Sequence, residues 1–101
     1  MSYPISSVTP LALQTALARV LAALEEEGFD VISELDVQAM LREQHAAEIE
    51  PEIVVEAYDD ERHVCNVAVR TEDGETVVEA IGSIDPELRE RIVRVIAAAA
   101  A

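Results

Sequence analysis

Residues 53–81, IVVEAYDDERHVCNVAVRTEDGETVVEAI, contain three runs rich in valine and isoleucine that are separated by two polar segments. Short β-branched runs between turn-forming residues are typical of strands. Asp73-Gly74 is the strongest hairpin signal in the chain, because this dipeptide suits the two-residue turn between antiparallel strands. The acidic segment 59–61 marks the earlier turn. The stretch therefore predicts an antiparallel meander with strands at 53–58, 63–70 and 76–81.

Helices are predicted on both sides of the meander from capping residues and from apolar side chains at helical spacing. Thr9-Pro10 is expected to open the first helix, with Thr9 as N-cap, and Gly28 to end it. Asp36 is expected to cap a short helix over 37–45. Asp85-Pro86 repeats the cap-plus-proline pattern and opens the last helix, whose predicted buried residues are Leu88, Ile92, Val95 and Ile96.

Two further strands complete the predicted order. Residues 2–8 and 29–35 both predict strands, and Pro4 restricts the first to a sheet edge or a strand start. The order β-α-β-α-β-β-β-α predicts an α+β fold, with an antiparallel or mixed sheet and helices packed on one face. At 101 residues, we expect a single compact domain over residues 1–101.

The first predicted helix is apolar almost all round. A stripe of large residues (Leu13, Leu17, Val20, Leu21 and Leu24) is flanked by alanines (Ala12, Ala16, Ala18, Ala22 and Ala23). A helix of this kind is usually buried on more than one side. We therefore predict a homodimer that forms through this helix, through the sheet, or through both. The alternative is that the alanine face of this helix is simply exposed to solvent in a monomer.

The charge of the chain excludes two classes of partner. The formal net charge is −14, and all seven basic residues are arginine. Nucleic acids and anionic membranes both require a basic face, so we predict neither as a partner. The acidity is open to two interpretations, a solvated surface adapted to a salt-rich cytoplasm or a surface that docks a basic partner. The acidic residues are spread along the chain, which favours the first.

The cysteine content and hydropathy predict a cytoplasmic location. Cys65 is the only cysteine, so an intrachain disulfide is impossible and a reducing compartment fits. No apolar stretch approaches the roughly 20 residues of a membrane-spanning helix.

Two stretches of the chain resemble a known family. Residues 21–43, LAALEEEGFDVISELDVQAMLRE, contain a leucine-rich helix, a Gly-Phe turn, a strand and an aspartate that opens the next helix. Cys65-Asn66 followed by residues 67–69, Val-Ala-Val, looks like a cysteine-containing strand of the same family, and Ile84-Asp85-Pro86 is similar to the start of its last helix. The family is the domain-of-unknown-function family 302. The resemblance implies a compact α/β fold that tends to dimerise, and it implies no reaction.

The chain departs from the family pattern at the first of two cysteine positions. Tyr58 occupies that position within the segment 56–60, and a tight acidic turn replaces a short helix of the family. The Leu-Pro pair that precedes the second cysteine is replaced by His63-Val64. An activity that needs both cysteines is therefore not expected.

His63 and Cys65 are the two candidate metal ligands. They are two residues apart on a predicted strand, so both side chains should lie on one face. A closed zinc site needs about four ligands, which this pair would supply only if it were shared across a dimer. The alternative is that Cys65 is a small core residue and His63 an exposed residue near a turn. As a nucleophile, Cys65 would need a nearby cation, which the acidic surroundings do not suggest.

We therefore predict that the chain is a non-enzymatic, dimeric binding or interaction domain. The alternative is a metal- or thiol-dependent protein that uses His63 and Cys65. Catalytic residues and a cofactor are not predicted, because no phosphate-binding glycine loop, calcium loop or Ser-His-Asp set stands out. The sequence does not identify the ligand.

Overall fold

The computed structural model describes residues 5–45, 49–61 and 63–101. The elements in chain order are β1 (Ser6–Thr9), α1 (Leu13–Glu26), β2 (Asp30–Asp36), α2 (Val37–His45), β3 (Glu52–Tyr58), β4 (Val64–Glu72), β5 (Glu75–Ile81) and α3 (Arg89–Ala100), with a 3-10 turn at Pro86–Leu88 before α3. The predicted order of strands and helices is confirmed. Residues 2–4 of the predicted first strand lie outside the described residues.

The five strands form one sheet in the order β1-β5-β4-β3-β2. Every neighbouring pair is antiparallel, which confirms the α+β class and selects the antiparallel option over the mixed one. The hairpin between β4 and β5 turns at Asp73 and Gly74, whose φ angles are 51° and 81°. Both are positive, as the type I′ turn requires, so the prediction from Asp-Gly is confirmed.

One face of the sheet carries the core. Side chains alternate along each strand, so Val55, Val67 and Val78 of the three central strands point to the same side. They are fully buried beneath α1 and α3, which also pack against each other. The predicted stripe of α1 is confirmed, and so is the burial of the four residues predicted for the last helix, of which Leu88 lies in the 3-10 turn and the other three in α3. The short helix α2 contacts β3 and contributes no residue to this core.

The start of α1 corrects the prediction made from Thr9-Pro10. The helix begins at Leu13, and its N-cap position, Ala12, makes no side-chain cap. Thr9 is instead the last residue of β1, opposite Thr76. Its hydroxyl accepts a hydrogen bond from the Leu11 amide at 3.3 Å. The chain needs residues 10–12 to leave the sheet and turn onto its face, so the helix cannot begin immediately after Thr9.

The predicted end of α1 and start of α2 are confirmed by their hydrogen bonds, whereas the last helix opens with the 3-10 turn and becomes α-helical only at Arg89. Gly28, with φ of 85°, ends α1, where the Phe29 amide donates to the Leu24 carbonyl at 2.9 Å. Such a left-handed residue with this backbone bond is the Schellman ending. Asp36 accepts from the Ala39 amide at 2.9 Å and so caps α2. Asp85 caps the 3-10 turn by accepting from the Glu87 amide at 2.9 Å.

The opposite face of the sheet, called the open face here, is not covered by α1 or α3. Every strand contributes residues to it. They include Ser6 and Val8 of β1; Val77, Glu79 and Ile81 of β5; Val64, Asn66, Ala68 and Arg70 of β4; Glu52, Val54, Glu56 and Tyr58 of β3; and Ser33 and Leu35 of β2. Four large apolar side chains are exposed on this face: Val8, Leu35, Tyr58 and Val64.

The strand β2 forms one edge of the sheet and is exposed along its whole length. Within the described part of the chain it pairs with β3 alone, and an extra residue at Ile32 interrupts the register between Val31 and Ser33. Such a bulge is common at sheet edges. Among the described helices, none is long and apolar enough to cross a membrane.

Candidate functional site

A buried carboxylate lies in the turn that connects β3 to β4. Asp59 is only 2% exposed. One of its oxygens, Oδ1, accepts from the backbone amides of Glu61 at 3.1 Å and of His63 at 2.8 Å. The other, Oδ2, lies 3.2 Å from His63 Nδ1 and accepts from Arg91 at 3.0 Å. Asp59 therefore closes its own turn and ties that turn to α3.

Arg91 connects three parts of the fold. Besides Asp59, its guanidinium donates to the Glu27 carbonyl at the end of α1. The same group lies over the Phe29 ring, 4.3 Å from the ring centroid, a distance typical of a cation–π contact. Arg94, one turn further along α3, makes two hydrogen bonds to the Glu27 carboxylate, at 3.1 and 2.8 Å. This pairing explains an acidic residue at a helix C-terminus, where the helix dipole disfavours it.

Asp59 stays charged in spite of its burial. Burial by itself would raise its pKa. The hydrogen bonds from the His63 amide, from Arg91 and from the His63 ring outweigh that effect and lower the pKa from 3.8 to about 2. The group is therefore an anion across the physiological pH range, and its counter-ion is Arg91.

Four carboxylates surround the His63 ring. Asp59 and Glu61 approach Nδ1 at 3.2 and 3.9 Å, while Asp85 and Glu87 approach Nε2 at 3.6 and 3.9 Å. The hydrogen bond to Asp59 is the main cause that raises the pKa of His63, and the charges of Asp59, Asp85 and Glu61 act in the same direction. When protonated, His63 thus links the β3–β4 turn to the 3-10 turn before α3.

Three of these side chains form a group with metal-ligand geometry. One ligand atom from each of Glu61, His63 and Glu87 lies within 4.8 Å of the other two. The imidazole is partly buried, and the two carboxylates are exposed. This group contains one of the two ligands predicted from the sequence, together with two carboxylates that the sequence did not single out.

The second predicted ligand, Cys65, lies in the core. It is 4% exposed and belongs to the same buried cluster as Val67 and Val69. Burial raises the pKa of its thiol to about 11, against a smaller opposing effect of Arg91. The described metal-ligand group around His63 does not include Cys65. In this chain the position of Cys65 suits a small apolar residue better than a ligand or a nucleophile.

Cys65 is expected to react slowly with iodoacetamide in the folded protein. A thiol with a pKa about two units above its usual value of 9.0 has roughly a hundredfold smaller thiolate fraction at pH 8, and burial slows the reaction further. Mass spectrometry of the alkylated protein, followed over time with and without urea, measures both rates. A native rate within about threefold of the rate in urea would contradict the buried position.

A separate cleft lies between α1 and the edge strand β2. It has a volume of about 350 Å³ and is largely open to solvent. Its lining combines apolar and acidic side chains: Leu21, Glu25, Phe29, Asp30, Val31 and Glu34. The cleft shares no lining residue with the metal-ligand group.

Comparison with known proteins identifies the family. A family model described as a domain of unknown function, DUF302, matches residues 5–60, which is more than half of the chain. The chain belongs to the DUF302 family. The resemblance seen in the sequence is thereby confirmed. No curated protein matches the chain.

A solved structure extends the comparison to the whole fold. The crystal structure of an uncharacterized conserved DUF302 protein from Bacillus stearothermophilus matches with a TM-score of 0.76 and 18% sequence identity. The match covers 99% of this chain and 97% of that chain. At this identity the likeness shows a shared fold alone, so the DUF302 fold extends beyond the residues matched by the family model.

Proposed function

We propose that this DUF302 chain is a non-enzymatic interaction domain that works as a homodimer, and that a second copy covers its open face. The observation that carries the proposal is the exposure of Val8, Leu35, Tyr58 and Val64 on the side of the sheet that neither α1 nor α3 covers. Val8 and Leu35 lie on the two edge strands and Tyr58 and Val64 at the β3–β4 end, so these apolar side chains frame the face, where a partner could bury them together.

The dimensions of the open face suit a small dimer. Five strands spaced about 4.8 Å apart, with about seven residues each, make a face roughly 24 Å on each side. Side-chain relief increases its accessible area, which approaches the roughly 800 Å² per partner that is usual for a stable interface. A small domain gains proportionally more from such burial than a large one.

Among the described residues, the open face carries one arginine, Arg70, beside the carboxylates of Glu52, Glu56, Glu72 and Glu79, so its acidic charge is only partly paired. Two copies with a formal net charge of −14 repel each other, so the interface should be a region where acidic groups are paired or absent. On the open face Arg70 donates to Glu79 at 2.9 Å and contacts Glu72 at 3.4 Å. Beside this ion-pair group lie Ala68 and Val77, both buried.

The helix α1 is less well suited to the interface than the sequence suggests. Its apolar sides already face the sheet and α3 within the same chain. What remains exposed on α1 is Ala18 and Ala22 together with polar and charged side chains (Gln14, Thr15, Arg19, Glu25 and Glu26). Burying alanine methyl groups releases less free energy than burying valine, leucine or tyrosine side chains. The proposal therefore places the interface on the sheet rather than on α1.

Leu35→Asp is expected to weaken the homodimer by about tenfold or more, because it places a charge in the proposed interface. The matched control is Val93→Asp on α3, where the native side chain is equally exposed, at 43% in both cases. Sedimentation velocity over a concentration series measures the association of both variants and of the wild type. Circular dichroism melts show that each variant is folded.

Two results would contradict this proposal. One is a wild-type protein that stays monomeric at concentrations of several hundred micromolar, about the weakest association that a working dimer would show. The other is a Val93→Asp variant that dissociates as readily as Leu35→Asp, since that would place the interface on the helical side.

The alternative function, a metal- or thiol-dependent protein, comprises two kinds of chemistry that the structure supports unequally. Thiol chemistry at Cys65 is poorly supported by a buried side chain with a raised pKa. Metal binding at His63 has better support from the carboxylates beside it. We also propose a cytoplasmic location for the interaction domain, since a single free cysteine suits a reducing compartment.

A further inference from the structure

We propose that Glu61, His63 and Glu87 bind one divalent transition-metal ion of the Zn²⁺ type on each chain. The three side chains come from the β3–β4 turn and from the 3-10 turn before α3. The site does not depend on the homodimer, so it goes beyond the proposed function. It replaces the predicted pairing of His63 with Cys65 by a pairing of His63 with carboxylates.

The donor set suits a borderline metal ion. Imidazole nitrogen and carboxylate oxygen are both established ligands of zinc, and two or three of them with open positions for water form a common site. Asp85 adds a further oxygen, since its Oδ2 lies 3.6 Å from His63 Nε2 while Oδ1 caps the 3-10 turn. Calcium and magnesium prefer sites made entirely of oxygen, so the imidazole favours transition metals.

The geometry requires only a small movement. Ligand atoms around a zinc ion, each about 2.1 Å from it, are about 3.4 Å apart in a tetrahedral site. The three atoms here lie within 4.8 Å of one another, so they must approach by at most about 1.4 Å. The side chains of Glu61 and Glu87 are 74% and 78% exposed, so both can move without disturbing the core.

The imidazole is already oriented by groups behind it. Its Nδ1 lies 3.2 Å from Asp59 Oδ2, and Asp59 is held in turn by Arg91 and by two backbone amides. A histidine that binds a metal usually donates its other ring nitrogen to a carboxylate in this way, which fixes both the tautomer and the ring plane. Nδ1–H directed to Asp59 leaves the Nε2 lone pair available on the side of Asp85 and Glu87. The exposed carboxylate of Glu61 now lies nearest Nδ1, at 3.9 Å, and must rotate towards Nε2 to join the site.

Isothermal titration calorimetry of the full chain with Zn²⁺, Ni²⁺ and Mg²⁺ tests the site. The titrations are made at about pH 8, where a proton competes less for the imidazole. The chain is expected to bind about one Zn²⁺ or Ni²⁺ per protomer and to bind Mg²⁺ far more weakly. Glu61→Gln combined with Glu87→Gln should reduce the Zn²⁺ affinity by about tenfold or more, and His63→Gln should do the same.

Two control variants separate this site from other sources of metal binding. Glu75→Gln with Glu90→Gln removes the same charge from exposed positions outside the group and should leave the Zn²⁺ affinity within about twofold of the wild type. Cys65→Ala should also leave it unchanged. Because His63 contacts Asp59, its variant is checked by thermal melting, and the glutamate pair provides the test if His63→Gln is unstable.

Three outcomes would overturn the inference. The first is Zn²⁺ affinity no better than that for Mg²⁺, which would indicate a diffuse acidic surface. The second is equal loss of affinity in the Glu75→Gln, Glu90→Gln control. The third is loss of binding in a folded Cys65→Ala variant, which would restore the thiol as a ligand. None of these outcomes changes the oligomeric state, so failure of the metal site and failure of the proposed dimer are distinguishable.

Discussion

Asp59→Ala is expected to lower the melting temperature by on the order of 10 °C, one of the two largest effects that we predict. The substitution removes the acceptor of two backbone amides, leaves Arg91 without its buried counter-ion and frees the His63 ring. Loss of one partner from a buried charged pair is costly because the other charge remains desolvated. Differential scanning calorimetry measures the change.

The neighbouring residue provides the control. Asp60→Ala removes an equal charge from an exposed position in the same turn and should change the melting temperature by no more than about 2 °C. Equal effects of the two substitutions would mean that only the charge of the turn matters, and that the hydrogen bonds of Asp59 contribute nothing specific.

The pH dependence gives the same interaction a second test. A carboxylate with a lowered pKa stabilises the folded state above its ordinary pKa of 3.8, and this contribution is lost as the pH falls towards about 2. His63, with a raised pKa, contributes fully below 6.5 and loses its contribution as the pH rises through the raised value. The difference in stability between wild type and Asp59→Ala should therefore become smaller both at low pH and at high pH. A constant difference from pH 2 to pH 9 would contradict the assignment.

Leu17→Asp is the second substitution with a large expected effect. Leu17 is buried in α1 among the residues of the core. A charge at this position lacks a partner and displaces apolar contacts, so the variant should lose on the order of 4 kcal/mol of the free energy of unfolding. Since small domains have only about 5–15 kcal/mol, the variant should keep as little as about 1 kcal/mol and unfold at a much lower urea concentration. Urea denaturation followed by circular dichroism measures the loss.

The next residue along the helix separates core burial from association. Ala18 is exposed on α1, so Ala18→Asp should cost less than about 1 kcal/mol and should leave the homodimer intact. A folded but monomeric Ala18→Asp variant would show that α1, not the open face, forms the interface. A fully stable Leu17→Asp variant would contradict the packing of α1 on the sheet.

The strands and most helix boundaries could be predicted because their causes are local. Asp73-Gly74 determines a turn by its own backbone preferences, and Asp36 caps the helix that directly follows it. The prediction of Thr9 as a helix N-cap was wrong. Its residue type suits a cap, but in the structure it is the last residue of β1, opposite Thr76. Its pairing partner is 67 residues away in the chain, and no local pattern reveals it.

The candidate site was only half predictable, because several of its residues come from distant parts of the chain. His63 could be singled out by residue type, but Glu87 approaches it, and Arg91 approaches Asp59, from a separate part of the chain. Alternation along a strand suggested Cys65 as its companion, yet that alternation points Cys65 into the core. The burial of Asp59 could have been suspected only from its place in a turn beside a strand end, where acidic residues are usually solvated.

The exposed edge strand β2 has a consequence for behaviour at high concentration. Unpaired backbone groups along a sheet edge invite another chain to add a strand and so begin aggregation. Along β2, Asp30, Glu34 and Asp36 are interspersed with the exposed Val31, Ile32 and Leu35, and the bulge distorts the edge. Two such edges would repel each other and fit together poorly. The acidic residues of β2 thus act as gatekeepers that keep an open five-stranded sheet from growing into a fibril.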